Sequence, residues 1–387
     1  MRSSSIRILY LSGYSHLIHH RKVELLADAE NLEILNINGL DCDRKAGRYP
    51  SANGERSYEL VNLPTAYLLK NDVHRGFYWP PRFRLRQFQP HLIYCEHEQE
   101  SLMALEAALM RNLFSPGVPL ILYTWQNILR QRNLAVRLIS SATLRAAQHI
   151  FSASAEGIHV LRRQGYTGGA TVVQQMGVDP RYFHPMSVAD LRTQLGLTDT
   201  VIGYVGRLVP EKGIDLLLEA VQQMPAPCQL LLIGDGPEKA ALQSLAQARG
   251  IGDRCLWVDA VPFADVARYL NLLDILVLPS RTTPNWKEQF GRVLVEAMAC
   301  QVTVVGSDSG AIPEVIGDRK RIFAEDDQNG LAKILAELVE KPQLRIQSGQ
   351  EGFKRAMENY TTERLAEKML AVWQQVAKAH SFLDLKV

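Results

Sequence analysis

The sequence predicts an α/β protein made of two doubly wound, parallel-sheet domains. Short apolar runs of strand length alternate with amphipathic stretches of helical period, the pattern of parallel sheets covered by helices. That alternation occurs twice, once on each side of the polar, proline-containing stretch 177–200, where GVDPRYFHP reads as a connector. The length, 387 residues, suits two domains better than one, because domains of about 100–200 residues are the norm.

In the first half, strands are expected at residues 6–11, 32–37, 91–95, 120–123 and 149–152, with a helix over about 100–112. In the second half they fall at 201–205, 229–233, 256–258, 275–278 and 302–305, separated by helices near 215–224, 238–249, 263–270 and 292–300. Residues 362–380 place Leu365, Met369, Leu370, Trp373 and Val376 on one helical stripe, which needs a surface to pack on. The expected domains are 1–176 and 177–361, followed by a C-terminal helix over 362–387.

Composition narrows the function. With 47% hydrophobic and 22% charged residues, the chain can bury a core in each half. Its formal net charge of +2 gives no polyelectrolyte character, so nucleic acid is not an expected partner. The balance is nevertheless uneven: residues 1–180 carry 20 Lys/Arg against 15 Asp/Glu, leaving 23 against 26 for the rest. Five scattered cysteines with no CxxC pair indicate neither a disulfide framework nor a zinc site and fit a reducing compartment. The run 6–11 is too short for a signal peptide, and no stretch approaches the roughly 18 apolar residues of a membrane span. A cytoplasmic protein is expected, at the inner face of a membrane if it touches one.

In open parallel sheets, ligands bind beyond the C-terminal ends of the strands. After the strand 201–205 comes GRLVPEKG, residues 206–213, which sets Arg207 and Lys212 just before a helix. Two cations beside free helix amides make a phosphate site, or else a solvated basic loop. After 229–233 comes GDGPE, residues 234–238, either a fragment of a dinucleotide fingerprint or a plain strand-to-helix turn. The segment PSRTTPNWKEQFGRVLVEAMAC holds Glu288 in a loop and Glu296 one turn inside a helix opened by Gly291 and Arg292. One carboxylate can face a reacting group while the other accepts hydroxyl hydrogen bonds; chance pairs on a surface have the same spacing.

In their order, GRLVPEKG, LLIGDGPE, VLPS with EQFGRVLVEAMAC, and VGSDSGAIPEVI make the chain resemble the retaining family-four glycosyltransferases. The likeness covers residues 175–317 and, more loosely, FSASAEGIHVLRRQGY before them. It implies the GT-B fold, two Rossmann-like domains facing a central cleft. It also implies a donor-binding second domain, an acceptor-binding first domain and a last helix crossing back to the first. Arg207 and Lys212 would hold the diphosphate of a UDP- or GDP-sugar, Glu296 the ribose hydroxyls, and Glu288 the donor sugar. Glu288, Arg207 and Lys212 would form the catalytic set. Gly206, Gly234, Phe290, Gly291, Arg292 and Val293 would line the donor, and Gly13 would bring backbone near its phosphate. No cofactor and no metal are required. The Asp41-x-Asp43 pair has the spacing of a metal motif used by another glycosyltransferase fold, but it stands in the wrong half, beside Arg44 and Lys45. Gln301 replaces a usual glycine after AMAC, at a cost of about 1 kcal/mol if the left-handed conformation is kept.

The first half is less legible. Where several members of the family carry a histidine, Gln126 and Asn127 stand, so Glu98, Gln126 and Asn127 are the acceptor candidates, with loop polarity as the alternative. His19, His20, Arg21 and Lys22 form one basic cluster. Residues 75–89 interleave arginines with Phe77, Tyr78, Trp79, Phe83 and Phe88. Such a pattern suits an anionic lipid surface, a lipid-diphosphate acceptor or base stacking on a nucleic acid, or a loop whose aromatics fill the first domain. The expected activity is retaining transfer of a hexose-type sugar to an acceptor hydroxyl of a glycan, a lipid-linked sugar or a small molecule. The alternatives are an epimerase or phosphorylase on the same fold, or a non-catalytic sugar-nucleotide-binding subunit. A pyridine-nucleotide oxidoreductase is disfavoured, since no GxGxxG follows an expected strand.

Overall fold

Both sets of apolar runs become all-parallel sheets in the computed structural model, which describes residues 5–13, 17–29, 31–39, 57–68, 73–81, 83–224 and 228–380. Asp41 and Asp43 lie outside the described residues. The chain divides into two compact units, residues 1–177 with 362–387, and residues 178–361.

The first unit contains β1 (Ile6–Ser12), β2 (Leu32–Gly39), β3 (Glu59–Leu63), β4 (Thr65–Tyr67), β5 (Gly76–Tyr78), β6 (Leu92–Cys95), β7 (Leu120–Thr124), β8 (His149–Ser152) and β9 (Gly169–Val172). Seven of these form one parallel sheet in the order β3-β2-β1-β6-β7-β8-β9, while β4 and β5 pair as an antiparallel hairpin. The central strands are buried on both faces, so they read as continuous apolar runs without alternation. One face packs under helix Leu102–Phe114, which contributes Met103, Ala104, Ala107 and Ala108 to the core. The other receives helix Thr362–Ala379, whose Leu365, Met369 and Trp373 are buried against Tyr10 and Tyr94.

In the second unit, β10 (Thr200–Val205), β11 (Cys228–Ile233), β12 (Cys255–Val258), β13 (Ile275–Leu278), β14 (Thr303–Ser307) and β15 (Ile322–Phe323) make a parallel sheet. Its order is β12-β11-β10-β13-β14-β15. The chain winds outward from β10 to β12, then crosses to β13 and winds the other way. Its topological switch point therefore lies between β10 and β13.

Several expectations shift for identifiable reasons. The helix expected over 100–112 begins at Leu102, because the Ser101 hydroxyl caps it by accepting from the Ala104 amide at 3.1 Å. Strand β14 starts at Thr303, since the Val302 amide still closes the preceding helix on the Ala297 carbonyl. Gln301 keeps the left-handed conformation, with φ +59°. The supposed connector is not a free linker. Phe183 is buried against Phe263, and the Met186 amide donates to the Asn271 side chain, so residues beyond 177 belong to the second unit.

Of the basic cluster at 19–22, His20 and Lys22 are buried and Arg21 is half-buried. Lys22 is buried and donates to Glu96 at 2.5 Å and to the Gln175 carbonyl at 2.8 Å, while buried His20 meets the Tyr58 hydroxyl. In the segment 75–89, Tyr78 and Phe83 are core residues, Phe77 and Phe88 are half-buried, Trp79 is 61% exposed, and Arg84 pairs with Glu59. No described helix is long and apolar enough to cross a membrane.

Candidate functional site

At the switch point of the second sheet, the loops after β10 and β13 run side by side. The Arg281 amide donates to the Glu211 carbonyl at 2.9 Å, which ties the two loops together. The loop after β11 joins them from the other side, where the Leu208 amide donates to the Asp235 carbonyl and the Glu238 amide to the Leu208 carbonyl. Gly206 and Gly234 continue the sheet hydrogen bonding past β10 and β11, onto the Ile233 and Val258 carbonyls.

The short 3-10 turn Pro210–Lys212 carries Lys212 to the meeting point of the loops. Its ammonium donates to Glu288 Oε2 at 2.6 Å and lies 4.7 Å above the Trp286 ring centroid. The Ser280 hydroxyl, wholly buried at the end of β13, donates to the same carboxylate oxygen at 3.0 Å. Glu288 is only 7% exposed, so ammonium and hydroxyl together replace much of the water that a carboxylate loses on burial.

Two glycines hold this pair from behind. Gly213 has φ +63°, and a Cβ there would stand 2.1 Å from the Pro279 carbonyl. Gly310, after β14, has φ +54°, and its Cβ would fall 2.0 Å from the Glu288 carbonyl, which accepts from the Ala311 amide. Any side chain would clash with backbone at either position, so both loops are pinned where the ion pair forms.

Arg207 stands apart from this cluster. Its side chain is 68% exposed, and its ion-pair contact is Glu211 at 3.9 Å. The structure thus joins Lys212 to Glu288 and leaves the Arg207 guanidinium available to an anion. On the next element, Gly291 is the left-handed cap of helix Arg292–Ala299, and Phe290 is buried with its ring 5.8 Å from that of Tyr360. Val293 occupies the first turn. One turn in, Glu296 is buried and meets Arg292 at 2.9 Å. Burial pushes the Glu296 carboxyl up, and the Arg292 guanidinium opposes that rise. Glu288 and Glu296 are thus separately partnered, one by lysine and serine, the other by arginine.

In the first unit, Gly13 is buried just past β1. Glu98 accepts from the Thr124 hydroxyl and the Trp125 amide, both at 2.8 Å. Burial raises its carboxyl to about 7 against those two hydrogen bonds. Gln126 accepts from Gln99 at 2.9 Å and from Gln164 at 3.2 Å, and Asn127 is buried. Glu98 and Gln126 are therefore at least partly structural, bonding the loops after β6 and β7 together.

Ser280, Trp286 and Gly310 were given no role by sequence reasoning. Ser280 and Gly310 lie inside the quoted motifs VLPS and VGSDSGAIPEVI, whereas nothing in a lone tryptophan two residues before Glu288 marks it as a cation partner. Among the described residues no cluster of three or more His, Cys, Asp or Glu side chains is placed to hold a metal ion.

Residues 189–355 match the family described as Glycosyl transferases group 1. A GDP-mannose-dependent monoacylated alpha-(1-6)-phosphatidylinositol monomannoside mannosyltransferase of Corynebacterium glutamicum is 32% identical over 209 residues, 51% of this chain and 54% of that protein. A lipopolysaccharide core biosynthesis mannosyltransferase of Rhizobium leguminosarum bv. viciae is 31% identical over 218 residues, 53% of this chain and 60% of that protein. The chain thus spans little more than half the length of the curated relatives it matches.

Among solved structures, sucrose-phosphate synthase from Thermosynechococcus elongatus superposes with a TM-score of 0.74 at 21% identity, covering 97% of this chain and all of that one. HepE of Anabaena, in complex with UDP, gives 0.74 at 18%, covering 96% and 100%. At these identities the likeness concerns the fold alone. By these matches residues 189–355, less than half of the chain, are similar to the glycosyl transferases group 1, and the two parallel sheets share the fold of those solved structures over nearly the whole chain.

Proposed function

We propose that the chain is a retaining hexosyltransferase that moves a sugar from a nucleoside diphosphate to an acceptor hydroxyl in polysaccharide, glycolipid or glycoconjugate biosynthesis. The observation that carries this reading is the buried Lys212–Glu288–Ser280 cluster at the switch point, beside the exposed Arg207. Cleavage of a sugar–diphosphate bond leaves negative charge on the departing phosphate, and fixed cations stabilise that charge without reorganising. In this reading Arg207 and Lys212 take the diphosphate, and Glu296 accepts from the ribose hydroxyls. Glu288 faces the sugar, and the amides of Phe290 and Gly291 with Arg292 and Val293 line the donor. As the anomeric C–O bond breaks, the leaving phosphate oxygen accepts the proton of the acceptor hydroxyl, whose oxygen bonds to the anomeric carbon on the same face.

The first unit is assigned to the acceptor, with Glu98, Gln126 and Asn127 as its candidates, to backbone contact with the donor phosphate at Gly13, and to peripheral contact with the inner face of a membrane. The donor is taken as a UDP- or GDP-sugar, because one relative named above uses GDP-mannose and one structural neighbour was solved with UDP. No divalent ion is part of the proposal. Its test is a thermal-shift panel of UDP, GDP, ADP and their sugar conjugates, with and without EDTA, because a ligand of the native state raises its apparent stability. One nucleotide is expected to stabilise the chain equally in EDTA. Stabilisation by none, or only with a divalent ion, contradicts the proposal.

A further inference from the structure

Among the described residues ten large apolar side chains are exposed, and six of them fall between positions 109 and 138. Four form two ridges: Leu109 and Leu113 on helix Leu102–Phe114, and Leu134 and Leu138 on helix Leu134–Ala146. In each pair the residues are four apart, so they sit one above the other on one helix face. The two helices pack against each other on the first sheet, so both ridges belong to one rigid body. Leu113, Leu134 and Leu138 are 60–69% exposed, far beyond what packing within this unit would leave.

Between Glu106, which accepts from the Tyr78 amide, and Glu156 the chain carries charge of one sign. Residues 107–155 contain five arginines and no aspartate or glutamate. Arg111 is buried and Arg132 pairs with Glu100, whereas Arg137 and Arg145 are exposed on the same helix as Leu134 and Leu138. Beyond the end of the first helix, exposed Arg86 lies 5.0 Å over the Phe114 ring. There a groove opens, floored by Phe83, Leu85 and Met110 and edged by Arg84 and Arg86.

We infer that helices Leu102–Phe114 and Leu134–Ala146 form the face by which this chain lies on an anionic lipid bilayer. Leucines on two ridges enter the acyl boundary while arginines beside them meet lipid phosphates, the division of labour expected of an interfacial helix. A second copy of the chain fits less well, since it would set unneutralised arginines against one another. This deepens the membrane contact proposed above, rests on it for biological sense, and places that contact away from buried His20 and Lys22 and beside the exposed Arg84 and Arg86 of the segment 75–89.

The test is flotation of the full chain with vesicles of phosphatidylcholine alone and of phosphatidylcholine mixed with phosphatidylglycerol. Binding is expected on the anionic vesicles, weakening with salt. It should fall about tenfold or more in the double variants Leu113→Asp/Leu138→Asp and Arg137→Glu/Arg145→Glu, and stay unchanged in Ile346→Asp, an exposed site of the second unit. Unchanged melting temperatures and donor-induced thermal shifts establish that these variants fold and keep the donor site. Absence of binding, equal binding to both vesicles, or equal binding by all variants overturns the inference. So does a dimer in sedimentation velocity that Leu113→Asp/Leu138→Asp dissolves. If vesicle binding behaves as expected while no nucleotide shifts the melting temperature, the transferase reading fails and this one stands.

Discussion

Replacing Lys212 by methionine keeps the length of the side chain and removes its charge, so Glu288 loses its ammonium while the Ser280 hydroxyl still donates to it. Breaking a fully buried ion pair costs about 3–5 kcal/mol, because the surviving charge is left in a poor solvent. Here the two side chains keep 15% and 10% exposure, so about 2 kcal/mol is expected. Glu288→Gln should cost a similar amount by stranding the ammonium. In the double variant neither charge is stranded, and the two costs should not add: a coupling of about 1.5–3 kcal/mol is expected between the sites. Denaturant unfolding of the wild type, both single variants and the double variant reads this directly. In parallel, Lys212→Met should reduce turnover about a hundredfold or more, the usual penalty for removing one fixed donor to a developing oxyanion. Additive stabilities within about 0.5 kcal/mol would mean that the pair contributes nothing in the folded chain, and the argument for a pre-set cation would fail.

Burial holds the Glu98 carboxyl at about 7 in the folded chain against an ordinary 4.5, so the native state binds its proton more tightly than the unfolded state does. The stability from this group is present below about pH 4.5 and is lost as pH rises through about 7. Glu98→Gln should therefore gain on the wild type by about 2 kcal/mol between pH 5 and 8 in paired melting curves, and parallel pH profiles would count against it. Gly310→Ala forces a Cβ onto the Glu288 carbonyl and should cost more than about 2 kcal/mol while weakening donor binding, which calorimetry and thermal melting measure together. Arg292→Met removes the guanidinium that opposes protonation of Glu296. Donor affinity in that variant should drop more at pH 6 than at pH 8, and a uniform loss would separate Glu296 from donor binding.

The central strands of both units were legible because double-sided burial forces runs such as 6–11 and 275–278 to be apolar throughout. The edge strands β3, β9 and β15 were not: ELVNL is half-exposed, and β15 has only two residues, too few for any period to register. Arg207, Lys212, Glu288 and Glu296 were legible as candidates because charged residues after strands stand out against the apolar runs. Their pairing was not, since nothing in residue order says that Lys212 spans 76 positions to meet Glu288 while Arg207, five residues earlier, faces water. Nor does a tally of basic residues distinguish Lys22, locked on Glu96 in the core, from Arg137 in solvent. Burial decides which charges are structural, and burial is a property of the folded chain.

Arg207 separates function from stability most cleanly, because its side chain is 68% exposed and its ion-pair contact among the described residues is a 3.9 Å one to Glu211. Exposed pairs of that kind contribute about 0–1 kcal/mol. The most direct measurement is calorimetric titration of Arg207→Ala and wild type with the nucleoside diphosphate that the thermal-shift panel selects, alongside their ligand-free melting temperatures. The account predicts superimposable melting curves and at least about a tenfold loss of affinity in the variant. Undiminished affinity in a normally folded Arg207→Ala would place the diphosphate elsewhere and contradict the donor site described above.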